Sequence, residues 1–178
     1  MFSESTIIIL NTGLQLVATG ALTFSVWEQN KIQREATRIR KIERSHEVLV
    51  KFQEKDYVAF AQSILNGEKE IRIPEKLLCK VDGAKLVENK TEDLRLALKV
   101  GTPRGDGSLK QKLMYDSIDD FVAFFQSVNE EIQSNSVDEA VLKEALNPWL
   151  ESANDKDILV FAKDRGYDGL EELYRRWK

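Results

Sequence analysis

STIIILNTGLQLVATGALTFSVW, residues 5–27, sets the organisation of this chain, because it holds no charged side chain and a dense set of bases follows it. From Ile7 to Val26 there are twenty residues without a charge. At 1.5 Å rise per residue they would span roughly 30 Å, the thickness of a bilayer hydrocarbon core. The spacing predicts one transmembrane helix over 5–27. The flanks differ: Glu4 is the only charge before Glu28, whereas Lys31, Arg34, Arg38, Arg40, Lys41 and Arg44 follow the span. The positive-inside rule then puts residues 1–4 outside and everything after the span in the cytoplasm. Trp27 suits the inner headgroup level, with an apolar ring and an N–H that needs a partner.

Two alternatives compete with the span. A cleaved secretory signal needs a basic start and a shorter apolar stretch, and the first base here is Lys31. A buried helix of a soluble protein would tolerate the moderate polarity of the run but leaves the charge asymmetry unexplained. That polarity is ordered. At 100° per residue, Thr12, Gln15, Thr19 and Thr23 fall within about 80° of one another, with Asn11 beside them. An amide without a partner is costly in lipid, so Asn11 and Gln15 motivate pairing with another helix and an expected homo-oligomer. The opposing reading is a lone helix whose Thr hydroxyls bond back to their own carbonyls.

The net charge of −4 conceals a polarity along the chain, +2 over residues 1–55 and −6 over 56–178. The acidic part disfavours nucleic acid, which needs a concentrated basic face. Lys31, Arg34, Arg38, Arg40, Lys41 and Arg44 are expected at an anionic lipid surface, at about 1 kcal/mol each. Membrane lipids and a protein, self or other, are the expected partners. The lone Cys79 rules out an intrachain disulfide framework and reads as a buried hydrophobe.

Residues 28–55 contain no Pro or Gly and predict a basic stalk helix continuing the span. Its partial heptad (Ile32, Ile39, Ile42, Leu49) is interrupted by Glu35 and His46, so a solvated helix with one packed edge is favoured over a coiled coil. A compact bundle of about six helices is expected over 56–178, giving an all-α fold. Val48, Phe52, Phe60, Ala61, Ile64 and Leu65 form an apolar face that stops at Asn66-Gly67. Ile73-Pro74 announces a helix burying Leu77, Leu78, Val81 and Leu86. Thr91 caps another, with Leu94, Leu96, Ala97, Leu98 and Val100 inward. GTPRGDGS, residues 101–108, reads as a flexible loop; it lacks the Walker pattern that would make it a phosphate cradle.

The C-terminal third is the best punctuated. Ser117-Ile-Asp-Asp120 is expected to start one helix and Ser136-Val-Asp-Glu139 to form the capping box of the next. Asp155 or Asp157 starts a third, stopped by Gly166, and Asp168-Gly-Leu-Glu171 begins a fourth. The succession DDFVAFF, LNPWL and GYDGLEELYRRW resembles the C-terminal half of uncharacterised bacterial single-pass membrane proteins with a small cytoplasmic helical domain. The resemblance covers about residues 116–178 and the overall layout. It implies an all-α cytoplasmic domain and a bacterial inner-membrane setting, and it supplies no catalytic residue.

Searching for chemistry directly finds paired acids such as Asp119/Asp120 and Glu171/Glu172, which read as caps and solvated charge. One histidine cannot build a His-rich metal site, so no metal, cofactor or catalytic residue is expected. A membrane-anchored helical interaction module without catalysis is the expectation. The alternative is a self-associating membrane effector, pore-former or toxin-like, assembling through the polar face.

Overall fold

The computed structural model describes residues 4–73, 86–88, 91–99 and 108–178; within these, the side chains of 4–18, 56, 86, 87 and 91 lie outside the description. Among the described residues the fold is all-helical apart from one small strand pair. Seven helices are described: α1 Glu4–Gln53, α2 Asp56–Leu65, α3 Thr91–Ala97, α4 Leu109–Gln133, α5 Glu139–Ser152, α6 Lys156–Asp164 and α7 Gly169–Trp177. Two strands, β1 Glu70–Arg72 and β2 Leu86–Glu88, pair antiparallel with Ile71 opposite Val87. The chain divides into two compact units, Met1–Lys41 and Ile42–Lys178.

In the first unit α1 is helical from Glu4 onward, as the absence of Pro and Gly after Gly20 favours. Among the described residues no helix is long and apolar enough to cross a membrane. The side chains of residues 5–18, most of the expected span, fall outside the described set.

In the second unit α4 is the central element. Leu113, Ile118, Phe121, Val122, Phe125, Val128 and Ile132 are all buried, covering more of its circumference than a one-faced surface helix would. The last turns of α1 join this core through Val48 and Phe52, so packing starts well before the boundary expected at residue 56. Phe52 is the hub of an aromatic cluster, with ring centroids 4.4 Å from Phe124 and 4.9 Å from Trp149. A second cluster joins α2, β1, α3 and the start of α4 through Phe60, Ile64, Ile71, Ile73, Ala97 and Met114.

Several expected boundaries are corrected. α4 begins eight residues before Ser117, at Leu109, where Ser108 and Gln111 form a reciprocal capping box. Ser117 is instead buried within the helix, its hydroxyl donating to the Leu113 carbonyl at 2.7 Å. Burial of Leu113 and Met114 in the second cluster carries the helix upstream. Asp138, not Ser136, caps α5, accepting from the N–H groups of Ala140 and Val141. Ser136 is drawn back to Glu131, donating to its carbonyl at 2.9 Å. Leu86, expected on a helix, lies in β2 opposite Arg72; the rest of that expected helix, Leu77, Leu78, Cys79 and Val81 included, lies outside the described residues. Leu96 is 49% exposed while Ala97 and Leu98 are buried; Val100 and residues 101–107 are outside the described set.

Other signals hold as read. Gly67 (φ 68°) and Gly166 (φ 77°) adopt the left-handed conformation that ends helices α2 and α6. Asp155 caps α6 by accepting from the N–H of Asp157 at 2.8 Å. Asp168 precedes α7 without a side-chain cap bond.

Candidate functional site

Among the described residues a groove of about 280 Å³ opens between the C-terminal turns of α1 and α4. Arg44, Val48 and Lys51 recur on one face of α1 at helical spacing, with Lys55 in the link to α2, and Asp120, Phe124, Ser127 and Glu131 recur on one face of α4. Val48, Phe124 and Val128 make its floor apolar. The sequence folds this way because the same stretch of α1 that presents Lys51 outward buries Phe52 inward.

One end of the groove is closed by a charged clasp. The Arg44 guanidinium donates to Glu131 at 2.7 Å and to Glu47 at 3.0 Å. Its hydrogen bond to Glu131, then that to Glu47, raises the Arg44 pKa above the usual guanidinium value. In turn the Arg44 hydrogen bond, followed by that from the Ser136 hydroxyl, holds the Glu131 carboxyl below the usual carboxylate range. Beside the clasp, buried Ser45 accepts from the Asp138 N–H at 2.8 Å and its hydroxyl contacts the Asp138 carbonyl at 3.3 Å. These bonds tie α1 to the turn between α4 and α5.

The Ser127 hydroxyl donates to the Ala123 carbonyl of its own helix at 3.2 Å. Among the described residues no group of three His, Cys, Asp or Glu could hold a metal ion. His46 is exposed on the other side of α1, near Glu43 and Glu47.

No family model, curated protein or solved structure matches this chain. Its reading therefore rests on its own residues.

The residues singled out in the sequence separate into groups. Asn11, Thr12 and Gln15 have side chains outside the described set. The Thr23 hydroxyl bonds back along its own helix, to the carbonyls of Thr19 at 3.0 Å and Gly20 at 2.9 Å. That is the lone-helix arrangement. Lys31, Arg34, Arg38 and Arg40 are exposed, and the Lys31 ammonium lies 5.8 Å from the Trp27 ring centroid. Lys41 is half-buried, and Arg44 is engaged by Glu131 and Glu47, leaving it out of any free cationic surface. The sequence reading missed Ser45, and Glu131, one of the paired acids read as caps and solvated charge, is instead the partner of Arg44. Nothing local marks either, since their partners are Asp138, on another element, and Arg44.

Proposed function

We propose that this protein is a membrane-anchored helical interaction module, tethered by residues 5–27 and offering the α1–α4 groove to a protein partner on the cytoplasmic side. The observation that carries this reading is that the uncharged run and the groove wall belong to one unbroken helix, Glu4–Gln53. Charge asymmetry across the run supports the cytoplasmic side, and Trp27 with Lys31 supports a headgroup-level collar. The groove supports docking by an amphipathic segment: an apolar floor framed by Lys51 of α1, by Lys55 in the link to α2 and by Asp120 along α4. The resemblance in residues 116–178 supports a bacterial inner membrane.

Fractionation tests the tether. The full chain is expected to stay in the membrane pellet after alkaline carbonate extraction and a chain beginning at Glu28 to leave it; extraction of both defeats the anchor. Docking is tested separately by affinity capture from the native membrane. A Ser127→Trp chain, its groove filled, is expected to lose the partners that the wild type recovers, and identical recoveries defeat the groove.

The second reading, a self-associating effector acting through the polar face of the span, is supported by Asn11 and Gln15. The bonding of Thr23 to its own helix removes one of its polar contacts. Induced expression with a membrane-potential dye tests it, and unchanged potential and growth reject it.

A further inference from the structure

We propose that copies of this chain associate side by side through residues 27–39 of α1, the basic face of one copy against the acidic, isoleucine-bearing face of the next. At 100° per residue, Trp27, Lys31, Arg34 and Arg38 lie within about 60° of one another. Glu28, Ile32, Glu35 and Ile39 lie within about 60° on a second face, centred about 100° away. All eight side chains are exposed, with Ile32 at 63% and Ile39 at 48%. Among the described residues Glu28, Glu35, Arg34 and Arg38 enter no ion pair, so both faces remain available.

The charge pattern selects the mode of pairing. Matching the isoleucine face against itself in parallel copies would set Glu28 against Glu28 and Glu35 against Glu35, a repulsive arrangement. Matching unlike faces puts Glu35 within about 1.5 Å axially of Arg34 and about 4.5 Å of Arg38, and Glu28 about 4.5 Å from Lys31. Ile32 and Ile39 then cover the aliphatic stems of the arginines. Such a contact is heterologous, leaves a free face on each copy, and continues beyond two chains. The parallel orientation rests on the anchored reading above. In that reading Arg34 and Arg38 stand about 10 and 16 Å beyond Trp27 along the axis. Both distances exceed the Debye length of about 8 Å, so lipid attraction fades where a neighbouring helix can still be reached.

The experiment is light scattering of the full chain in detergent micelles, with charge exchange. Wild type is expected to show more than two chains per particle. Glu28→Lys/Glu35→Lys and Arg34→Glu/Arg38→Glu are each expected to weaken assembly at least about tenfold, as loss of two exposed pairs per contact implies. A fivefold variant that combines these four changes with Lys31→Glu, so that both faces are exchanged completely, is expected to reassemble, and the two double variants to co-assemble when mixed. Unchanged helical circular dichroism shows that each variant folds. A monomeric wild type, assembly that survives either double variant, or a fivefold variant that stays monomeric overturns the proposal. Flotation with zwitterionic vesicles separates this from the anchor: a wild type that fails to float yet obeys charge exchange rejects the anchor and keeps the pairing.

Discussion

Replacing Gly169 by alanine tests how tightly α7 is seated on α4. A Cβ at this position would lie 2.7 Å from the Gln126 Cα, 2.8 Å from its Oε1 and 3.1 Å from the Asn129 Cβ. The first of these atoms is backbone within a central helix and cannot rotate away, so α7 must lift. Lifting strains the Gly169 N–H bond to Gln126 Oε1, 2.7 Å long, and loosens Leu170, Leu173 and Trp177, all buried. Overpacking of this kind costs about 1–3 kcal/mol and a weakened hydrogen bond about 1 kcal/mol. The reduced entropy of the unfolded chain returns about 0.4–1 kcal/mol. The net is a destabilisation of about 2 kcal/mol, which for a folded unit of this size lowers Tm by roughly 6–8 °C. Thermal unfolding followed by circular dichroism reads it directly. Gly20→Ala is the control, because nothing lies within 4 Å of its added Cβ. A Gly169→Ala Tm within 2 °C of wild type would refute the close-approach argument, about a quarter of the expected shift.

Phe52→Ala should remove the hub of the aromatic cluster at a cost of about 3–5 kcal/mol, read as a lower urea midpoint with an unchanged slope. Glu131→Gln should weaken the Arg44 clasp, lowering stability at neutral pH by about 1 kcal/mol in the same assay; an unchanged midpoint would show that the clasp is inert. The pH dependence follows from the sign of the shift. The Glu131 pKa is lowered on folding, so its contribution is complete above the ordinary carboxylate value of 4.5 and is lost as pH falls through the folded value. Wild type should therefore lose stability below that pH faster than Glu131→Gln, and parallel curves would contradict this. Asp119→Ala should strand the Arg165 guanidinium, which donates to it at 3.0 Å and has its pKa raised chiefly by that bond, costing about 1–2 kcal/mol in the urea midpoint.

The helical signals that held are those closed within a few residues. Gly67 and Gly166 end helices because the left-handed conformation suits glycine, and Asp155 caps its helix by reaching an N–H two residues on. The serines were misread for the opposite reason. Ser117 and Ser136 both sit in sequence patterns that favour a cap, but α4 extends upstream because Leu113 and Met114 are buried. Likewise Ser136 turns to Glu131, and the cap falls to Asp138. The strand pair escaped notice because each strand is three residues long, too short for an alternating pattern to show.

By itself the sequence determined an all-α chain, the places where several helices stop, and an uncharged run followed by bases, since all of these depend on neighbouring residues. Tertiary structure alone decided that Phe52 is the hub of the aromatic cluster, that Arg44 is clasped by Glu131, and that a groove opens along α4. The reason is distance along the chain: Ser45 meets Asp138 across 93 residues, and no local pattern encodes a partner so remote.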